Sequence, residues 1–135
     1  MTKDRFVREI EEKMSSGENL NEQGEAGISL LHYWVSADRP DIVELLIESG
    51  ADLNVQDHSG RTALHFAVAN GNLDLVRLLV QRGANANIAS ARSTQNRSFM
   101  QRLLGKYRLI TPLQLAVDGN HQGILEFIRD HAEAS

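Results

Sequence analysis

The chain repeats itself at a spacing of 33 residues. The stretch GISLLHYWVSADRPDIVELLIESGADLNVQD (27–57) lies without a gap on GRTALHFAVANGNLDLVRLLVQRGANANIAS (60–90). Leu64 falls on Leu31, His65 on His32, Phe66 on Tyr33 and Val68 on Val35. Gly83-Ala84 falls on Gly50-Ala51, and Asn87 on Asn54. A third copy, TPLQLAVDGNHQGILEFIRDH (111–131), starts late: Thr111 follows Thr62 by 49 residues, so an insertion of about 16 residues precedes its first helix. A partial copy comes first, because GENLN (17–21) repeats GADLN (50–54). Ahead of it, Phe6, Ile10 and Met14 stand four apart with Val7 beside them, which makes one apolar helical stripe. A unit this short cannot bury its apolar face alone, so its copies must stack.

Each unit reads as two short helices joined by a tight turn. Thr62 is placed to cap the first helix of the second unit by accepting a backbone N–H. That helix ends near Gly71, and the corresponding residues are Asp38 and Asn120. Gly, Asn and Asp are the residues that best tolerate the left-handed conformation of a helix terminator. Pro40 opens a second helix, where a missing N–H costs nothing. Leu75, Leu78 and Leu79 give the next second helix an i, i+3, i+4 face, and Gly50 and Gly83 stop these helices.

These features resemble the ankyrin repeat, a 33-residue unit of a β-turn and two helices with a Thr-Pro-Leu-His-x-Ala signature. Thr62-Ala63-Leu64-His65-Phe66-Ala67 departs from the signature only at Ala63, and Thr111-Pro112-Leu113-Gln114-Leu115-Ala116 only at Gln114. Ser29-Leu30-Leu31-His32-Tyr33-Trp34 matches least well. The resemblance implies an all-α fold: a solenoid of paired antiparallel helices with β-hairpin-like turns. It would form a single domain over 1–135, with a capping helix in 1–20 and repeats at 24–56, 57–89 and 90–135, the last carrying the insertion. Three departures stand out. Trp34 occupies the position of the small Ala67 and Ala116, so the N-terminal helix must leave room for it or pack on it. Leu109 stands where Gly27 and Gly60 sit, so the third hairpin should differ in shape. Ala132 replaces the terminal Gly where the array stops.

The net charge of -4 is unevenly spread: residues 1–74 carry -8, residues 75–117 carry seven basic residues and no acid, and residues 118–135 carry -3. No apolar run is long enough to span a bilayer. The N-terminus MTKDRFVREIEEK is charged throughout, unlike a signal peptide, and a cytoplasmic location is expected. The absence of cysteine excludes disulfides and thiolate metal sites. His32 and His65 recur at the position where the resembling family bonds loop backbone, which explains both without catalysis or metal. His58 falls at a loop tip, and His121 and His131 have no partner at ligand spacing. No phosphate-loop, dinucleotide, zinc-protease or serine-hydrolase fingerprint occurs, so neither enzyme activity nor a cofactor or metal is expected. Trp34, Phe66 and Phe127 fall on the packing face.

What remains is surface. In the resembling family, partners touch the hairpin tips and the exposed face of each first helix. By position this implies Glu25, Ala26, Ile28, Ser36 and Ala37 in the first unit. In the second it implies Gln56, His58, Ser59, Arg61, Ala69 and Asn70. In the third it implies Tyr107, Arg108, Ile110, Asp118 and Gly119. The insertion adds Arg92, Arg97, Phe99 and Arg102, and its pairs Phe99–Leu103 and Met100–Leu104 have the i, i+4 spacing of a short amphipathic helix. The expected function is non-catalytic binding of a protein partner with an acidic patch, by a monomeric adaptor or inhibitor that occludes it. An immunity protein neutralising a toxin enzyme is one concrete form. The alternative is anion or nucleic-acid binding through 90–108, against which stand the overall negative charge and the lack of a nucleic-acid fold signature.

Overall fold

The computed structural model describes residues 5–91 and 109–133. Helix α1 (Arg5–Ser15) is followed by a 3-10 turn at Glu25–Gly27 and then by α2 (Leu30–Ser36), α3 (Pro40–Glu48), α4 (Ala63–Ala69) and α5 (Leu73–Gln81). A two-residue antiparallel ladder pairs β1 (Ser90–Ala91) with β2 (Leu109–Ile110). Helices α6 (Pro112–Asp118) and α7 (Gln122–Glu133) complete the array. Each first helix packs on the second helix of its own unit and on the first helix of the next, α2 on α4 and α4 on α6.

The turns between paired helices meet one backbone demand with three different residues. Asp38 (φ 59°), Gly71 (φ 70°) and Asn120 (φ 56°) all adopt the left-handed conformation anticipated for them. In each case the terminator N–H reaches back three residues and the next N–H five. The bonds are Asp38 to Val35 and Arg39 to Trp34, Gly71 to Val68 and Asn72 to Ala67, and Asn120 to Val117 and His121 to Ala116. This pair of bonds satisfies carbonyls that a helix end leaves open. Gly50 and Gly83 close the second helices in the same way.

The core is one strip through the stack. Val35, Ile42, Val43 and Leu46 of the first unit are fully buried, as are Val68, Leu75, Val76 and Leu79 of the second. Val117 occupies the register of Val35 and Val68 but is 48% exposed, because no further unit covers it among the described residues. Trp34 is 7% exposed and packs on α1, its ring 4.7 Å from that of Phe6. The indole thus fills, on the outer side of α2, space that a neighbouring first helix takes beside Ala67.

Asparagines stitch the units edge to edge. The side-chain carbonyl of Asn21 accepts from Asp52 N–H at 2.7 Å, and that of Asn54 accepts from Asn85 N–H at 2.8 Å. The partial copy at 17–21 is therefore in structural register with the full ones. Its Gly17 has the positive φ (76°) of Gly50 (96°) and Gly83 (106°).

Two glycines separate backbone strain from steric contact. A Cβ at Gly50 would enter open space, whereas one at Gly27 would lie 2.6 Å from His58 Cδ2 and 2.7 Å from His58 N. Gly50→Ala should therefore cost about 1 kcal/mol, from left-handed strain alone. Gly27→Ala should cost about 3 kcal/mol, because two hairpin tips must move apart as well. Urea unfolding of the two variants checks this difference.

Candidate binding surface

The hairpin tips are built from short backbone stems. Gly24 N–H donates to Ile28 O and Asp57 N–H to Arg61 O, both at 2.9 Å. The third stem pairs Ser90 with Ile110, so the chain leaves at β1 and returns at β2 with the inserted residues between. Leu109 is an extended strand residue there, whereas Gly27 and Gly60 have positive φ, so the third hairpin does differ in shape. Within the second tip, the buried Asp57 carboxylate accepts from the N–H groups of Ser59 (2.9 Å) and Arg61 (2.8 Å) and from Arg61 Nε (3.0 Å). Successive tips touch, since His58 N–H donates to Ala26 O at 3.0 Å.

Two histidines hold the tips to the helices. His65 Nδ1 accepts the Thr62 N–H at 3.0 Å, so Nε2 carries the hydrogen and donates to Ile110 O at 2.8 Å. His32 repeats this, accepting from Ser29 N–H at 3.1 Å and donating to Arg61 O at 2.9 Å. Each Nε2 bond spans two units. Burial is the largest influence on both rings and holds their pKa values below that of a free imidazole. A proton on Nδ1 would meet a backbone N–H head-on, so both rings work as neutral structural bridges.

This frame leaves a surface. Glu25, Gln56, His58 and Arg61 are exposed at the tips, with Ile28 and Ser59 half-buried. Ser36, Ala69, Asn70 and Asp118 are exposed at the ends of the first helices. Several of these side chains also serve the fold. Gln56 donates to Gly60 O at 3.0 Å. The Arg61 guanidinium lies 4.7 Å from the Phe66 ring centre. Asp118 accepts from Gln114 at 2.9 Å. Ile110 is a correction: it is 5% exposed, and its carbonyl takes bonds from His65 and Ser90, so it belongs to the stem and not to the contact surface. Arg92, Arg97, Phe99, Arg102, Tyr107 and Arg108 lie outside the described residues.

A family profile for ankyrin repeats (three copies) matches residues 6–90 and again residues 31–135. The chain belongs to the ankyrin-repeat family. Members of this family are generally protein–protein interaction modules. A search of curated proteins found no match to the chain.

The ankyrin register also exposes a row that the sequence reading missed. Tyr33, Phe66 and Leu115 each follow the histidine position of their unit; Tyr33 is 56% exposed and the other two are half-buried. Comparing the residue after the histidine in each copy would have been the signal. Among the described residues, no group of three His, Cys, Asp or Glu side chains could hold a metal ion. No helix among them is long and apolar enough to cross a membrane.

Proposed function

We propose that this ankyrin array is a non-catalytic binding module that acts as an inhibitor or adaptor by occluding a partner protein. The observation that carries the reading is the separation of frame from surface. The residues that define the repeat, such as Thr62, Leu64 and His65, are buried, His65 in a bond to the next unit, while Glu25, Ser36, His58, Ala69 and Asn70 are exposed. A stacked, rigid plate presents such residues with little ordering cost on binding. The basic segment 92–108, inserted at the third tip, gives the partner's contact patch its sign: acidic. An immunity protein plugging a toxin enzyme would be one form of such occlusion.

Reversing Arg97 and Arg102 to Glu should slow association about tenfold at low salt and less at high salt, because exposed charges steer encounter over about 8–10 Å. Phe99→Ala should instead raise the dissociation rate, as expected for a buried anchor. Surface plasmon resonance against the captured partner separates the two effects. The run of seven basic residues without an acid in 75–117 supports a second reading, nucleic-acid binding. That reading predicts a duplex-DNA affinity with a steep salt slope. Deleting residues 92–105 without loss of either affinity would place the binding surface elsewhere on the array.

A further inference from the structure

The register of the array marks a slot at its N-terminal end. Helix α1 packs on α3 and is followed by GENLN, the counterpart of GADLN after α3, so α1 stands in the row of second helices. First helices stack α2 on α4 and α4 on α6. Continuing that step outward from α2 leads to the inner side of α1. A groove of about 320 Å³ lies there, lined by Phe6, Ile10, Leu30, Tyr33 and Trp34. It shares Leu30 and Tyr33 with an adjoining hollow of about 510 Å³ that runs toward Glu22 and Glu25.

The groove is apolar and only partly closed. Of the α1 stripe, Ile10 is buried, while Phe6 and Met14 are exposed. Together with Tyr33 they make three of the four large apolar side chains exposed among the described residues. Phe6 and Tyr33 flank the Trp34 ring at centroid distances of 4.7 and 4.9 Å, forming an aromatic floor. The rim is acidic. Among the described residues, Glu9, Glu22 and Glu25 line the two hollows with Lys13 as the only cation, and Lys13 is itself held by Glu18 at 3.0 Å.

We propose that the groove between α1 and α2 docks an amphipathic helix of a partner protein whose apolar stripe is flanked by basic residues. The slot is the one the array itself fills with a helix one step further along. Helix-in-groove recognition uses anchors at i, i+3, i+4 and i+7, and the carboxylates at the rim select the basic flanks. The groove itself lies between α1 and α2 and meets the first tip only at its rim, through Glu25 in the adjoining hollow, and its ligand has the sign opposite to that proposed for the basic segment.

Trp34 is the only tryptophan in the chain, so its emission reports on the groove. The full chain is titrated with a labelled helical peptide of about 14 residues, with leucines at those spacings and lysines on the flanks. A second peptide replaces the lysines with glutamates. Saturable binding of the lysine peptide, seen in peptide anisotropy and in Trp34 emission together, is expected. The glutamate peptide should bind at least about tenfold more weakly at low salt. Tyr33→Asp, at an exposed position, should weaken the lysine peptide by at least about tenfold, and Gln81→Ala by less than about twofold. Absence of saturable binding, equal affinity for both peptides, or indifference to Tyr33→Asp overturns the proposal. So does a change of Trp34 emission in the free protein when residues 92–105 are deleted, which would mean that the chain's own segment fills the groove. A sedimenting mass that rises with concentration and reverts in Tyr33→Asp would instead assign the groove to a second copy, and overturns it too.

Discussion

Trp34→Ala should lower the unfolding free energy by about 3–5 kcal/mol, the usual cost of emptying a buried aromatic site. The indole is 7% exposed, holds Phe6 of α1 at 4.7 Å and lies 6.0 Å from the Arg39 guanidinium. Alanine is what the next two units carry at this position, in Ala67 and Ala116. There the small residue works because a neighbouring first helix lies close. Beside α2, the same alanine would leave α1 held mainly through its own Ile10 and Val7. Since a domain of this size holds only about 5–15 kcal/mol in all, α1 should become the first element to exchange its amide hydrogens. Urea unfolding followed by hydrogen exchange checks both points. A loss within about 0.5 kcal/mol would show that the indole contributes nothing to the core.

The second large effect belongs to His65. His65→Ala removes a fully buried ring and leaves the Thr62 N–H without its acceptor, at a cost of about 2–4 kcal/mol. It also cuts the bond to Ile110 O, which ties the re-entering strand to α4. The pH dependence follows from burial. Both His32 and His65 have folded pKa values below the free-imidazole value of about 6.5. As the pH falls through that value, the unfolded chain takes up protons that the folded chain does not. The stability contribution is therefore full above about pH 6.5 and is lost as the pH falls toward the lowered folded values. Urea midpoints at about pH 7.5 and about pH 5.5 should fall in the wild type and fall less in His65→Ala. An equal fall in both would assign the acid sensitivity to other groups.

The fold was legible because its demands recur. One left-handed terminator per unit is visible whether it is met by Asp38, Gly71 or Asn120, since each appears at the same register. The histidine bridges were legible for the same reason, and their acceptors at Arg61 and Ile110 follow from one geometric step to the next tip. The surface was less so. Ile110 looked like a tip residue by counting from Ile28 and Arg61, but the insertion turned its hairpin into a strand stem and buried it. The exposure of Tyr33 depends on the open slot beside α2, a feature of the stack's end that no single unit encodes. The buried Asp57 carboxylate that shapes the second tip has no counterpart in the other units, where Gly24 and Ser90 stand, so periodicity alone passes over it.

The central claim is that partners bind the outward row on the first helices. It is tested most directly by comparing two rows of equal register. Ser36, Ala69 and Asp118 form an exposed row on the first helices, and Glu48, Gln81 and Asp130 form one on the second helices. Each row is changed to arginine in an otherwise intact chain, and both variants are used beside the wild type in affinity capture from source cells with quantitative mass spectrometry. Circular dichroism first confirms that all three are folded. The account predicts that proteins retained by the wild type are retained by the second-helix variant and lost, by about tenfold or more, in the first-helix variant. Equal retention by both variants, or loss only in the second-helix variant, would contradict it.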